Sequence, residues 1–471
     1  MLPFLILWPL VGAAAVFILN ENRSRSFVLF GVSLIHLGHV MSLWRYPSAP
    51  FLGFLALDPL SLLVLSIVSV LFCVVSFYFI GYLSDEKTGS SRVFVGCLLL
   101  FLSSMTLVTL SQHLGLFWVG IEATALFSAP LISFHRSPQS IEATWKYLFI
   151  CSIGISLALL GTLFLAVSAS QVKTLFLSDL LSQASLLSVS WLKLAVIFLL
   201  VGYGTKMGLA PMHSWKPDSY AQAPGPVAAL LSGGVASCAF LGILRVSQIC
   251  LKANQTEFLS SILLVLGMLS LALAAIFILG QGDFNRMLAY TSIEHMGILV
   301  LGLGLGGVGI YGSMFHLVNN VFAEGMIFLT AGNIYRRYQT RRVSEVSGLL
   351  HRYPSTGILL VLGFMATVGI PPFATFHSEL MILNAALRSQ RYGIAFFYLF
   401  FLAIIFIGVA ANILKMTQGL PAEEMKKNSG HERLTWILGP LFLGLMVFWF
   451  GIWMPDFLDQ ALQKAATALG G

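Results

Sequence analysis

Charged side chains are scarce in this chain of 471 residues. Asp, Glu, Lys and Arg make up 10% of it, whereas hydrophobic residues make up 58%. Soluble domains carry about 25% charged residues, so this composition excludes an ordinary soluble protein, and the mean hydropathy of +0.89 agrees. At about 20 residues per helical span, the length leaves room for roughly a dozen spans or more. We therefore expect a multi-pass integral membrane protein.

Cysteine is also sparse, and its spacing excludes several kinds of site. The chain has no CxxC pair, and its five cysteines stand singly in or beside apolar runs at Cys73, Cys97, Cys151, Cys238 and Cys250. This spacing provides no iron–sulfur or zinc site and no disulfide framework. We expect no metal or cofactor in this chain, so any electron transfer would take place in partner chains.

Long apolar runs predict an all-α polytopic fold of about fourteen transmembrane helices. The predicted spans lie near residues 2–20, 26–44, 57–83, 93–111, 113–134, 144–170, 191–211, 226–250, 259–280, 286–305, 308–335, 357–384, 393–416 and 433–454. The N-terminus lacks the basic segment of a signal peptide, so the first run is interpreted as a retained span.

The distribution of Lys and Arg predicts the orientation. Seventeen of them fall in the odd-numbered loops, Lys87, Lys216, Lys426 and Lys427 among them, and eight in the even-numbered loops and the C-terminal tail, including Arg245. Basic residues accumulate on the cytoplasmic side of a membrane. This rule places both termini outside the cytoplasm and accounts for the net charge of +7 without a nucleic-acid partner.

Two predicted spans contain helix-breaking residues. The seventh carries Lys206 followed by Pro211, in the segment GYGTKMGLAPMHSWKPDSYAQAPGP, and the twelfth contains GIPPF with Pro371 and Pro372. A charge beside a broken helix is typical of a transport site. Alternatively, Lys206 could reach the membrane interface along its alkyl chain.

The two interruptions lie five spans apart, which suggests an internal repeat. Matching broken helices would place residues 93–250 and 259–416 in two inverted five-helix repeats. Residues 1–92 would then form an N-terminal group of three helices, and residues 417–471 a final helix with its tail.

The first predicted repeat contains two intramembrane charges of opposite sign, Glu122 and Lys206. Each could stabilise the charge of the other, and breaking that pair would let a proton be taken up and released. The alternative is a static buried ion pair that fixes helix packing.

The second predicted repeat holds a row of polar residues. His316, Asn320 and Glu324 are spaced by four and share one helical face, with His295 one span earlier and Glu379 one span later. Such a row can carry a hydrated proton relay ending at Glu379, with His316 or His295 as the partner of Glu324. A single histidine of this kind would more often be a satisfied core residue.

Several motifs resemble a known family. KMGLAPMHSWKPDSYAQAPGPVAALLSG and FNRMLAYTSIEHMG are similar to the antiporter-like membrane subunits of respiratory complex I and of Mrp-type cation/proton antiporters. FHRSPQSIEATWKYLFICSIGISLALLG most resembles component F of hydrogenase-4, in the membrane-bound group 4 hydrogenases. The resemblance implies fourteen helices, two inverted repeats and a central proton-carrying axis. It matches family positions at Glu122, Lys206, His295 and Glu379.

The chain departs from the family pattern at three positions. Ser237 stands where many relatives have a lysine, and Asn320 and Glu324 stand where they commonly have histidine and lysine. From the resemblance we expect Glu324→Lys, which restores the commoner charge, to retain activity.

The residues and the resemblance together predict a subunit that moves protons, or sodium ions, within a redox-driven complex. That complex would be a membrane-bound hydrogenase or an NADH-quinone oxidoreductase, with other membrane subunits and a peripheral redox module as partners. The alternatives are a non-redox cation/proton antiporter, the membrane partner of an inorganic-carbon uptake complex, and a purely structural subunit.

Overall fold

The computed structural model describes residues 2–83, 91–419 and 432–471. Lys87, Lys426 and Lys427 lie outside the described residues. The described α-helices, in chain order, are α1 (Leu2–Ile18), α2 (Asn22–Leu43), α3 (Pro59–Leu83), α4 (Ser91–Leu110), α5 (Leu114–Ile132), α6 (Pro138–Ser168), α7 (Leu177–Ser182), α8 (Val189–Met207), α9 (Trp215–Gln222), α10 (Gly225–Leu230), α11 (Ala236–Lys252), α12 (Thr256–Ile278), α13 (Phe284–Leu305), α14 (Val308–Tyr338), α15 (Leu349–Arg352), α16 (Pro354–Thr367), α17 (Ala374–Arg388), α18 (Tyr392–Thr417), α19 (Leu434–Ile452) and α20 (Asp456–Thr467).

The predicted spans have counterparts among these helices. In the described part of the chain, 11 helices are long and apolar enough to cross a membrane, when α10 and α11 are taken as the continuous helix Gly225–Lys252. The other three predicted spans correspond to α1, to α14 with its polar residues, and to the interrupted pair α16 and α17. The predicted class, an all-α polytopic membrane protein, is confirmed.

Both predicted helix interruptions are present. Helix α8 ends at Met207 and α9 begins at Trp215, with Pro211 between them; α16 ends at Thr367 and α17 begins at Ala374, with Pro371 and Pro372 between them. Each break starts at a glycine with a positive φ, 85° at Gly208 and 64° at Gly369, a conformation that residues with a Cβ adopt at a cost. A proline stands three residues after each glycine. This shared pattern supports the predicted repeats, whose boundaries stay a prediction.

Two basic residues counted in loops are buried in helices instead. Lys216 lies in α9 and Arg245 in α11, and both side chains are almost completely buried. Arg245 forms an ion pair with Asp58 and donates to Ser61 Oγ at 2.6 Å. Neither residue faces a loop, so the loop count was wrong for both. Lys216 had been counted in the odd-numbered loops and Arg245 in the even-numbered ones. Removing both leaves the excess of basic residues in the odd-numbered loops unchanged, so the predicted orientation stays the same.

Helix α20 was not predicted. Its 12 residues form an amphipathic helix, because Leu458 and Leu462 are buried while Asp456 and Lys464 are exposed. The Tyr311 hydroxyl of α14 donates to Asp459 Oδ1 at 2.6 Å. A search for long apolar runs overlooks a helix this short and amphipathic.

Helix α14 lies at the centre of the bundle. It is buried from Gly309 to Ile334 except at Tyr311, and it contacts α10 from the first predicted repeat and α13, α16 and α17 from the second. A polar residue on α14 is therefore placed to interact with elements of both halves.

Candidate functional site

Lys206 occupies the last turn of α8, and its side chain is fully buried. Its Nζ donates a hydrogen bond of 2.9 Å to the Tyr147 hydroxyl of α6 and lies 4.9 Å from the centre of that ring. The same hydroxyl is 2.6 Å from Ser128 Oγ on α5. Lys206 thus begins a short chain of hydroxyl groups, which can pass a proton by exchanging donor and acceptor roles.

Glu122 has a separate partner. The Ser152 hydroxyl of α6 donates to Glu122 Oε1 at 3.3 Å, whereas Oε2 is buried and makes no hydrogen bond to the described residues. Within the described part of the chain, no direct ion pair joins Glu122 to Lys206. Helix α6 contacts both α5 and α8 and supplies a hydrogen-bond partner to each group, and the charge of Glu122 also acts on Lys206.

The break after α8 is stabilised by the residues that follow it. Trp215 Nε1 donates to the Thr205 carbonyl at 2.8 Å, and Lys216 Nζ donates to the Met207 carbonyl at 3.2 Å. These are carbonyls that a continuous helix would have bonded internally. Broken helices at membrane depth require such partners.

Lys216 is a candidate that the sequence interpretation missed. Its side chain is fully buried, and its Nζ also donates to the Ser292 carbonyl on α13 at 3.3 Å. A lysine placed between Trp215 and Pro217, in the same motif as Lys206, was an available signal. Lys216 was missed because the segment that forms α9 was assumed to be a loop.

Glu324 lies on α14, opposite the break. Asn320 Nδ2 donates to Glu324 Oε2 at 3.4 Å. The hydroxyl groups of Ser232 and Ser292 lie near the carboxylate without a hydrogen bond to it, and that of Ser232 donates to the Ala229 carbonyl at 3.1 Å. The basic side chain that interacts with it electrostatically is Lys216. The expected partners, His316 and His295, interact with each other instead.

The two histidines form a pair that leads to α17. His295 Nδ1 is 3.2 Å from His316 Nε2, and His316 Nδ1 is 2.9 Å from Ser378 Oγ. Ser378 also donates to the Thr375 carbonyl at 2.8 Å. The predicted row on α14 is therefore divided, because Asn320 is bonded to Glu324 whereas His316 is directed toward α17.

Glu379 lies at the far end of this row, beside the second break. Its carboxylate occupies the space next to Gly369, where a Cβ would collide with Oε2. Its Oε1 is buried and has no hydrogen-bond partner among the described residues. A cavity of about 360 Å³, lined by Glu379, Tyr398 and residues of the break, lies beside the carboxylate. Glu294, buried on α13, interacts electrostatically with Glu379 and Glu324; it was not among the predicted site residues.

Ser237, where relatives were expected to carry a lysine, is a buried residue of α11. Its hydroxyl donates to the Gly233 carbonyl at 2.5 Å. The preceding residues, Leu231–Val235, form a π-helical turn between α10 and α11, and this turn contains Ser232, whose hydroxyl lies near Glu324. At this position a hydroxyl group that bonds within its own helix stands where a lysine was expected. The basic group near Glu324 is instead Lys216, which lies on α9.

Comparisons with known proteins cover most of the chain. The family model described as "NADH:quinone oxidoreductase/Mrp antiporter, TM" matches residues 111–408. The hydrogenase-4 component F homolog of Methylacidiphilum infernorum is 33% identical over 399 residues, 83% of this chain and 81% of that protein.

Two solved structures have the same fold. A chain of the membrane-bound sulfane sulfur reductase, an archaeal respiratory membrane complex, superposes with a TM-score of 0.86 at 22% identity, covering 99% of this chain and 97% of that one. A chain of the Mrp complex from Dietzia sp. DQ12-45-1b gives a TM-score of 0.86 at 19% identity, covering 99% of both. At these identities the likeness establishes the fold alone.

Proposed function

Because the chain belongs to the NADH:quinone oxidoreductase/Mrp antiporter family of membrane proteins, we propose that it moves protons, or sodium ions, as the ion-translocating subunit of a redox-driven complex. In this proposal the chain itself transfers no electrons. Redox chemistry in a partner drives the ion movement, and the chain provides the path.

One observation carries the proposal. A row of ionisable side chains runs through the bundle: Glu122 is half-buried, and Lys206, Lys216, Glu324, the histidine pair and Glu379 are buried. Ionisable groups at membrane depth are costly and mark ion pathways by default. A bundle held together by packing alone would have apolar residues at these positions.

The geometry suggests how a proton could move along this row. In the first half, Lys206 can exchange a proton with the Tyr147 hydroxyl, which touches Ser128. In the second half, either histidine can donate to the other, since each ring has two nitrogens whose roles depend on the tautomer. The two helix breaks place Lys206 and Glu379 beside irregular backbone, where small movements change hydrogen-bond partners.

Partners and location follow from the same proposal. The chain is a multi-pass membrane protein, and its structural neighbours are subunits of multi-subunit membrane complexes. We propose that it lies in the cell (inner) membrane with both termini outside the cytoplasm. Other membrane subunits would connect it to a peripheral redox module, as in a membrane-bound hydrogenase or an NADH-quinone oxidoreductase.

The likeness to the Mrp chain favours a second candidate, a subunit of a non-redox cation/proton antiporter. The companion chains distinguish the two. A native complex isolated through a tag on this chain should contain hydrogenase-like or quinone-reductase-like subunits under the first proposal. Small membrane subunits without redox centres would favour the second.

The test of translocation uses that native complex in sealed vesicles. Proton uptake should accompany oxidation of the donor that its redox subunits accept, and an ionophore should abolish it. Lys206→Ala and Glu122→Gln should each abolish uptake in complexes that still assemble. Removing both should cost little more than either alone, since groups that act as one unit are not additive.

A matched control is Lys252→Met, which removes an exposed lysine at the end of α11 and should leave uptake intact. Full proton uptake in assembled Lys206→Ala complexes would overturn the assignment of Lys206 to the path. Vesicles that oxidise donor but move no ion in any variant would overturn the function itself.

A further inference from the structure

Lys216 joins the two halves of the bundle at their centre. It lies on α9, the second part of the first broken helix, and its Nζ bonds the Met207 carbonyl on α8 and the Ser292 carbonyl on α13. Its side chain is fully buried, and its Cδ lies 2.6 Å from where a Cβ on Gly208 would stand. Carbonyl dipoles alone compensate a buried ammonium poorly, so a counter-charge is expected nearby.

The acidic residues near Lys216 leave one suitable counter-charge. Asp218 lies two residues along the chain, but it is already bound to Arg286 and to Lys146, the latter at 3.1 Å. Glu294 interacts with other carboxylates. Glu324 is the acid whose charge acts on Lys216, although the ion pairs among the described residues include no direct contact between them. The Tyr220 ring lies 5.5 Å from Lys216 Nζ and packs edge-on against Phe328, one turn after Glu324 on α14.

Glu324 also lacks a full set of hydrogen-bond partners for its buried carboxylate. It is fully buried, only Oε2 receives a hydrogen bond, from Asn320, and Oε1 has no hydrogen-bond partner among the described residues. Ser292 lies near both groups, since its carbonyl accepts from Lys216 and its hydroxyl, which has no hydrogen-bond partner among the described residues, is close to Glu324. Two buried charges of opposite sign thus share one neighbour.

We propose that Lys216 and Glu324 form a charge pair at the junction of the two halves. Protons cross through this pair between the Lys206 cluster, made of Lys206, Tyr147 and Ser128, and the His295–His316 pair. The crossing step balances without a further reactant. The ammonium of Lys216 gives a proton, by way of a bridging water, to the carboxylate of Glu324, which leaves an amine and a carboxylic acid. The acid releases its proton toward His316, and the amine takes the next one from the Lys206 side. This inference rests on the proposed function.

The pair reverses an expectation drawn from the family resemblance. Glu324→Lys should not retain activity, because it places two ammonium groups beside each other in a buried site. Adding Lys216→Met to Glu324→Lys leaves a single lysine in the commoner family position. The double variant should therefore recover assembly and part of the proton uptake that Glu324→Lys loses.

The first test is independent of transport. Thermal unfolding of the purified native complex is compared for wild type, Lys216→Met, Glu324→Gln and the double variant. Either single change leaves an uncompensated buried charge and should lower the unfolding midpoint, whereas the double change removes both and should restore most of it. Additive losses would overturn the charge pair, and the exposed-lysine control Lys252→Met should not shift the midpoint.

The second test uses proton uptake by the same complexes in vesicles. The neutral double variant should fold well yet lose at least tenfold in uptake per donor oxidised. Wild-type uptake in the double variant would overturn the transport role. If even the wild type moves no protons, the proposed function fails, while the unfolding data still decide whether the pair exists.

Discussion

At the scale of single residues, Tyr147 gives Lys206 its surroundings. Its hydroxyl connects the ammonium to Ser128, and its ring lies 4.9 Å from Nζ. Sequence periodicity places Tyr147 on a helix but gives no reason to link it to a lysine 59 residues away. The residue that completes a buried polar cluster is set by how helices pack.

We therefore predict that Tyr147→Phe preserves folding but weakens translocation. The ring that packs against Trp215 is kept, whereas a hydrogen bond to a charged group, worth about 1.5–3 kcal/mol, is lost. Proton uptake by the native complex should fall by about tenfold or more with an unchanged amount of assembled complex. Tyr290→Phe, on a half-buried ring outside the site, is the matched control; equal uptake in both variants would remove Tyr147 from the path.

At the scale of elements, the two broken helices organise the site. Each break starts at a glycine with a positive φ, and a charged side chain packs against that glycine, Lys216 at Gly208 and Glu379 at Gly369. Neither position has room for a Cβ. Each glycine thus allows the chain to turn and leaves space for the charged side chain that packs against it.

Gly208→Ala should accordingly destabilise the first break. A left-handed conformation costs a residue with a Cβ roughly 1–2 kcal/mol, and the new Cβ would also displace Lys216. Gly38→Ala is the matched control, because its site on α2 is helical and open to a Cβ, so the change should be neutral or slightly stabilising. Thermal unfolding of the complex measures both, and equal midpoints would contradict the packing of Lys216 on Gly208.

At the scale of the whole molecule, orientation is the property that is still predicted from charge alone. Reporters that distinguish the two sides of the membrane can test it. A reporter fused after Gly471 should register outside the cytoplasm, and one inserted at exposed Gln339, beside Arg341 and Arg342, should register inside. Signals on the same side would show that the number of spans between these positions is not the predicted one.

The sequence by itself determined the membrane class, the positions of the spans and both helix breaks. These features are local, because long apolar runs, glycines and prolines act on their own segments wherever the chain folds. Only the tertiary structure decided which buried groups meet. It paired Lys206 with Tyr147 and His316 with His295, and it buried Lys216 against the Met207 and Ser292 carbonyls. The physical reason is that helix packing brings together side chains far apart in sequence, and periodicity shows which face a residue occupies but not what lies opposite that face.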